Sequence, residues 1–346
     1  MSRRSFLKYS LSTGLALACL TPGRLTPTAA SERTYWMQGR WGMMVHWIAP
    51  GPAPVLGPRI ADLNRAVNQF RLDHFLEQFE DSGASWIIFT IGQNTTYYAS
   101  PNSYLDRVVG PGHCSERDLV NELIIRIRAL NRRSILYLPG EIDAPSALHH
   151  GFEWNPDDQS GFEARYTDFI REYATRFGSN CDGWWIDGCY DWPQFRLKQR
   201  HWTLWVDALR AGNSLAAIAF NDGSFTQSLF NPLTDEQDFI SGECNQIAEG
   251  AIVLGDANSG VKYLPSSQNI GLPPRQFHLL TPIDCGGQWA HSTPSGFLPP
   301  LYSDQELFPL VEKCLQVKGA VTLNVGISQE GLMSKQTISQ LSRMKQ

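Results

Sequence analysis

The chain has 346 residues, 42% hydrophobic and 11% aromatic, with 29 Lys and Arg against 34 Asp and Glu for a formal net charge of −5. That apolar content is more than a small domain needs and fills one barrel-sized core or two modest ones. The acidic balance argues against nucleic acid and anionic membrane as partners and leaves neutral or cationic ligands.

The first thirty residues read as a targeting segment. SRRSFLK is followed by a short apolar run from Tyr9 to Leu20 and by TPTAA, whose small residues suit a signal peptidase. Paired Arg3 and Arg4 before a weakly hydrophobic stretch fit a twin-arginine-type signal peptide over 1–30, and the run is too short for a permanent membrane anchor. Cleavage after Ala30 predicts a periplasmic or secreted protein that has no membrane partner once cut. The remainder keeps 25 basic against 34 acidic side chains, because the four basic residues of 1–30 leave with no acid. Six cysteines remain, Cys114, Cys181, Cys189, Cys244, Cys285 and Cys314, with no C-x-x-C pair and no zinc spacing, so buried free thiols are expected.

From residue 35 onward, short apolar runs alternate with segments of helical period, as in βα units around a parallel sheet. The predicted strands, in chain order, are 41–47, 86–90, 134–138, 183–187, 216–220, 238–241, 277–281 and 320–325. Each is a continuous apolar run, the mark of a strand buried on both faces. LDHFLEQFEDSGA, RDLVNELIIRIRALN, GFEARYTDFIREYATRF, FRLKQRHWTLWVDALRA and DQELFPLVEKCLQVK carry helical spacing between them. About eight units predict an α/β fold, a single-domain (β/α)8 TIM barrel over 31–346. Residues 242–276, rich in Gly, Ser, Asn and Pro, are too long for a plain loop and suit a covering loop.

Parallel barrels place their chemistry at the C-terminal ends of the strands. That rule selects His46 and Trp47; Gln93, Asn94, Tyr97 and Tyr98; Glu141 and Asp143; Asp187, Tyr190, Asp191 and Trp192; Asn221 and Asp222; Glu243; Asp284 and Trp289; and Asn324. Carboxylates, amides and aromatics together suit carbohydrate, since aromatic faces stack on sugar C–H faces while amides and carboxylates bind hydroxyls. Glycosidic hydrolysis usually needs two carboxyl groups, and Asp187 has Glu243, Asp222, Glu141 or Glu249 as possible second members. Trp184 and Trp185 are adjacent on one strand and must face opposite sides of the sheet. No G-x-S-x-G elbow and no Walker loop stands out.

Several of these segments resemble the α-L-fucosidases of glycoside hydrolase family 29: WGMMVHW at strand one, ASWIIFT at strand two, SILYL at strand three, and VTLNVGISQEGLM at the end. CDGWWIDG is similar to that family's strand-four segment, IAFND to its strand five and DFISGE to its strand six. The resemblance implies a catalytic barrel whose nucleophile is Asp187 and whose acid/base is Glu243. It implies a retaining exo-glycosidase that releases a terminal sugar, 6-deoxy or otherwise modified, from an oligosaccharide or polysaccharide. The strand-end residues His46, Trp47, Gln93, Asn94, Tyr97, Glu141, Asn221, Asp222 and Trp289, with Trp185, are then expected around the sugar. No metal or organic cofactor is implied. Gly223 stands where the family's strand-five segment has Arg, and two larger departures follow: Gly92–Tyr98 replaces the family's His-His-Asp-Gly-Phe segment, and no C-terminal β-sandwich of the kind many fucosidases carry is expected after strand eight. The alternatives are a non-catalytic carbohydrate-binding barrel and a polysaccharide lyase with Tyr97, Tyr98 or His46 as base. The oligomeric state is not legible.

Overall fold

The computed structural model describes residues 29–48, 58–93, 95–142, 147–189, 200–223, 232–245, 247, 275–291, 293 and 296–344. Seven strands form one curled, wholly parallel sheet in the order β5-β4-β3-β2-β1-β7-β6. They are β1 (Trp41–Val45), β2 (Trp86–Thr90), β3 (Arg133–Pro139), β4 (Gly183–Asp187), β5 (Ala217–Phe220), β6 (His278–Pro282) and β7 (Ala320–Asn324). Helices Leu72–Ser82, Leu119–Ala129, Ser160–Phe177, Trp202–Leu209 and Asp304–Gln316 lie between successive strands in the chain, and Lys335–Ser342 follows the last. Gly83 ends the first of these helices in the left-handed conformation, φ 80°, and Asp118 caps the second by accepting from Asn121 N at 3.2 Å. The short helices Ala29–Thr34, Leu63–Asn68, Ser103–Val108 and Ala147–Gly151 are too brief for a periodic signal. Among the described residues no helix is long and apolar enough to cross a membrane.

Strand parity sorts the core into two layers. Met44, Trp86, Ile88, Ile135, Tyr137, Trp185, Ala217, Ala219, Leu280 and Ala320 form one buried cluster on the concave face. Their strand neighbours, among them Val45, Ile87, Phe89, Leu136, Trp184, Ile218, Leu279 and Val321, pack on the other side with the helices. Trp184 and Trp185 therefore do face opposite layers, as alternation requires. The N-terminal end of the concave face is plugged by Trp36 and Met37, with Trp36 edge-on to Trp86 at 5.7 Å between ring centroids.

The concave face is not wholly apolar. Trp86 donates its indole N–H to Thr322 Oγ1 at 2.9 Å, and Thr322 Oγ1 meets His278 Nε2 at 2.7 Å. His278 Nδ1 lies 3.1 and 3.0 Å from the carbonyl oxygens of Ile240 and Ser241, so Nδ1 carries the hydrogen and Nε2 accepts from Thr322. Burial holds His278 neutral, its pKa lowered to about 4. Gly42 permits the crossing, since a Cβ there would lie 2.2 Å from the Trp86 indole.

The expected sixth strand, 238–241, is not a regular strand. It makes isolated parallel bridges, Phe239 to Gln276 and Glu243 to Leu280. Backbone hydrogen bonds tie it to both sides: Asp238 N to Ile218 O at 2.8 Å, Ile240 N to Gln276 O at 3.0 Å and Cys244 N to Leu280 O at 2.8 Å. Gly242 interrupts the ladder with φ 70°, and its close approach leaves no space for a side chain: a Cβ would lie 2.0 Å from the His278 carbonyl oxygen. The other strands match their predicted runs within two residues at either end.

Two buried carboxylates brace the N-terminal end of the sheet, remote from the strand C-termini. Asp182 accepts from Arg128 at 2.9 Å, Arg133 at 2.7 Å and Ser134 N at 3.0 Å. Asp238 accepts from Arg33 at 3.2 Å, Arg210 at 2.5 Å and Ile218 N at 3.0 Å. Each buried charge is paired and hydrogen-bonded, which offsets its desolvation.

Gly242→Ala is expected to destabilise the protein by about 2 kcal/mol or more, because it adds both a left-handed alanine and a clash with backbone. Thermal unfolding of the variant against wild type checks this; an unchanged midpoint would contradict the packing described for Gly242.

Candidate active site

Continued past the strand ends, the inward parity collects the polar residues. His46 lies one residue beyond β1, Asp187 ends β4, Asn221 follows β5 and Asn324 ends β7. Glu243 stands one residue past Gly242, with Phe239 of the same segment packed in the concave cluster. Side chains far apart in sequence therefore converge at one rim of the sheet.

Asp187 is gripped from two strands. Its Oδ2 accepts from the Tyr137 hydroxyl at 2.6 Å and its Oδ1 from Asn221 Nδ2 at 2.7 Å. The same Asn221 nitrogen donates to Glu243 Oε2. Two hydrogen bonds to one nitrogen limit the nearest oxygens of the two carboxyls to a separation of at most roughly 6 Å. Asn221 is wholly buried, and its own Oδ1 accepts from Gly223 N at 3.3 Å.

That closeness has an electrostatic consequence. Burial, and then the charge of Asp187, push the Glu243 carboxyl up to about 8, against the opposing hydrogen bond from Asn221; Asp222 adds a smaller push upward. Glu243 is thus protonated at neutral pH. A carboxyl that keeps its proton near neutrality can act as the donor in acid–base chemistry.

His46 sits against this pair. Its ring is edge-on to Tyr137 at 5.1 Å and tilted to Trp289 at 5.9 Å. Asn324 Nδ2 donates to the Trp289 carbonyl at 3.0 Å, which turns Asn324 Oδ1 toward His46 Nδ1 at 3.1 Å. Nδ1 therefore carries the hydrogen, and Nε2 is left as an acceptor. Burial lowers the His46 pKa, partly offset by Asn324 and by Asp187.

Gly188, directly after Asp187, has φ 70°, and a Cβ there would lie 2.8 Å from Glu141 Cγ and Oε1. The Asp-Gly pair of GWWIDG thus lets the chain turn over the buried Glu141. Arg200 reaches back to the carbonyl oxygens of Gly140 at 3.3 Å and Gly188 at 3.4 Å, tying the ends of β3 and β4 together.

The remaining expected site residues divide. Trp289 is partly exposed beside His46, and Asp222 is near enough to Glu243 to influence its charge. Gln93 and Tyr97 are half-buried beyond β2, where Tyr97 stacks on His113 at 5.9 Å. Trp185 lies beneath the group, 2% exposed, stacked on Tyr137 at 5.5 Å and donating its indole N–H to Ser241 O at 3.1 Å. Trp47 is in the outer layer: it packs edge-on to Phe70 at 5.6 Å and donates to Gln329 O at 3.0 Å. Asp284 is also turned away, accepting from Gly326 N at 2.8 Å and Thr337 Oγ1 at 2.9 Å. Asn94, Asp143, Tyr190, Asp191, Trp192 and Glu249 lie outside the described residues. Tyr137, Arg200 and His278 carry no signal in the strand-end rule; only inward parity on SILYL could have flagged Tyr137.

Among the described residues no group of three or more His, Cys, Asp or Glu side chains is placed to hold a metal ion. The six cysteines carry free thiols, and burial pushes that of Cys189, two residues past Asp187, up to about 12.

No protein-family model and no curated protein sequence matches the chain. Solved structures do. The chain is similar to endo-fucoidan hydrolase P5AFcnA of glycoside hydrolase family 107, with 18% identity and a TM-score of 0.66 over 91% of this chain and 94% of that one. It is similar to endo-fucoidan hydrolase MfFcnA4 of the same family, with 16% identity and a TM-score of 0.64 over 90% of this chain, and spans only 52% of that protein's length. It is also similar to α-L-fucosidase isoenzyme 1 from Paenibacillus thiaminolyticus, with 18% identity and a TM-score of 0.58 over 92% of this chain and 75% of that one. At these identities the likeness establishes a shared α/β fold.

The protonation of Glu243 predicts a pH-dependent stability. A carboxyl whose folded pKa is raised contributes stability that is complete below its unfolded value and is lost as pH rises through its folded value, here about 8. Glu243→Gln, which cannot ionise, should therefore melt above wild type at pH 9.5 and show a smaller difference at pH 5. Parallel melting curves at the two pH values check this; a difference independent of pH would contradict the shifted carboxyl.

Proposed function

We propose that this protein is an exported glycoside hydrolase that cleaves fucosyl or closely related 6-deoxy-sugar linkages in glycans by a retaining mechanism. One observation carries the reading: Asn221 Nδ2 joins the Asp187 and Glu243 carboxyls. Burial beside Asp187, which pushes the Glu243 carboxyl up to about 8, agrees with it. Retaining pairs lie about 5–5.5 Å apart, whereas inverting pairs leave a water's width of roughly 6.5–9.5 Å. The bound set by a shared nitrogen favours the former.

In the first step an Asp187 oxygen attacks the anomeric carbon. The glycosidic C–O bond breaks, and its oxygen takes the proton of Glu243. In the second step water attacks the same carbon and gives a proton to Glu243 as the ester bond to Asp187 breaks. Both groups return to their starting states. Tyr137 holds Asp187 in place, and His46 Nε2 and the Trp289 face meet the sugar. The segment 238–244, bonded to β5 on one side and to β6 on the other, would complete a (β/α)8 barrel around this rim.

Fucose as the substrate draws on the family 29 resemblance and on solved neighbours named as fucoidan hydrolases and α-L-fucosidases. Export to the periplasm or the medium follows from SRRSFLK and TPTAA. The segment Gly92–Tyr98, with Gln93 and Tyr97, offers amide and phenol groups where the family carries histidines, which suits a modified sugar.

The test is a panel of aryl α-L-fucosides and fucan oligosaccharides with wild type and Asp187→Ala. Wild type should release sugar, as single residues from a chain end or as shorter oligosaccharides from internal cuts, and Asp187→Ala should lose about 10⁴-fold or more in kcat. Equal turnover by both would overturn the reading, as would tight glycan binding without turnover. The kcat/KM profile should fall on the alkaline side near pH 8, where Glu243 loses the proton it must donate. Activity persisting unchanged to pH 10 would assign the acid to another group.

A further inference from the structure

The carboxyl pair depends on a residue that has little hydrogen-bonding capacity left for substrate. Asn221 Nδ2 has two hydrogens, one directed to Asp187 Oδ1 and one to Glu243 Oε2. Its Oδ1 accepts from Gly223 N at 3.3 Å, and the side chain is fully buried. Sequence alone placed Asn221 among the sugar contacts; its committed hydrogens give it another task.

We propose that Asn221 is the positioning residue of the carboxyl pair, donating one hydrogen to each carboxyl in every state of the reaction. The proposal rests on the retaining reading. In that cycle the pair holds one negative charge throughout: it sits on Asp187 in the free enzyme and on Glu243 once Asp187 is an ester. A neutral NH2 between the two faces one anion and one neutral group in both states. It needs no movement as the charge passes across, the condition for preorganised stabilisation.

The orientation of the amide is fixed from below. If the amide were flipped, its oxygen would face two carboxyls and its NH2 would face the Gly223 N–H. The Gly223 hydrogen bond selects the productive orientation. Gly223 has φ 104°, a backbone that a side chain rarely adopts, so the glycine lets its N–H turn back onto Asn221.

The groups that face Glu243 are Asp187 from β4 and Asp222 from the turn after β5; His46 from β1 and Tyr137 from β3 flank Asp187. Among the described residues these are acids, an imidazole whose pKa burial lowers, and a phenol. Among the described residues, the Asn221 hydrogen bond opposes their upward push on the Glu243 carboxyl. Removing it should raise that carboxyl further.

The experiment uses Asn221→Ala and the isosteric Asn221→Asp in the full chain. With an aryl glycoside that wild type hydrolyses, kcat should fall about 100-fold, as for loss of one preorganised donor, with KM within about threefold. The alkaline limb of kcat/KM should move up by about one pH unit in Asn221→Ala, and further in Asn221→Asp, which adds a negative charge. A raised KM with kcat and pH profile unchanged would make Asn221 a sugar contact and overturn the proposal. Carbon-13 NMR titration of the Glu243 carboxyl in wild type and Asn221→Ala needs no turnover. An upward shift in Asn221→Ala supports the positioning role even if wild type hydrolyses no glycoside tested, in which case the hydrolase reading alone fails. An unshifted titration overturns the positioning role.

Discussion

A strand can turn only every second side chain toward the inside of a curled sheet, and the polar rim depends on that restriction. Trp185 and Asp187 are inward on β4 because Trp184 and Ile186 are outward among the helices. Apart from Thr322 and His278, large apolar residues thus fill the concave face, and Asp187, Asn221, His46 and Asn324 gather at the strand ends beyond them. Tyr137 marks the boundary: its ring stacks on Trp185, and its hydroxyl reaches Asp187. A slip of one residue in β4 would turn Asp187 into the apolar outer layer and bring Ile186 to the rim.

Placing two carboxyls so close costs desolvation and repulsion, and the structure meets these in separate ways. Burial beside Asp187 favours the protonated form of Glu243, and Asp187 itself accepts hydrogen bonds from Tyr137 and Asn221. At the opposite end of the sheet, the buried Asp182 and Asp238 each draw two arginines. The arginine-paired carboxylates and the candidate site thus occupy opposite ends of the same strands.

Much of this was legible in the sequence, and what was not has physical causes. Unbroken apolar runs located β2 and β4 to the residue, because strands buried on both faces show no polar interruption. The strand-end rule then reached Asp187, Asn221 and Asn324. It misplaced Trp47, because the first run was read through 47 although the strand ends at Val45; parity puts His46 inward and Trp47 outward. The sixth run lost its ladder at Gly242, and no local propensity signals a close approach to a strand some thirty-five residues away. Tyr137 and His278 read as core because they are core, and their side-chain hydrogen bonds exist only across strands. Asn221 was found, but its part could not be read without knowing that two carboxyls share its nitrogen.

The Trp86–Thr322–His278 chain bears on the shape of the sheet. Backbone ladders bind a curled sheet only along its circumference, so they resist separation of neighbouring strands but oppose flattening poorly. The hydrogen bonds from Trp86 on β2 to Thr322 on β7, on to His278 on β6, and from there to the carbonyls of Ile240 and Ser241 run as a chord across the interior. Each link has a fixed donor and acceptor, so the chord has one length and one direction. It acts as a cross-brace: the curvature that brings Glu243 round to face Asp187 is held from inside the sheet as well as around its edge.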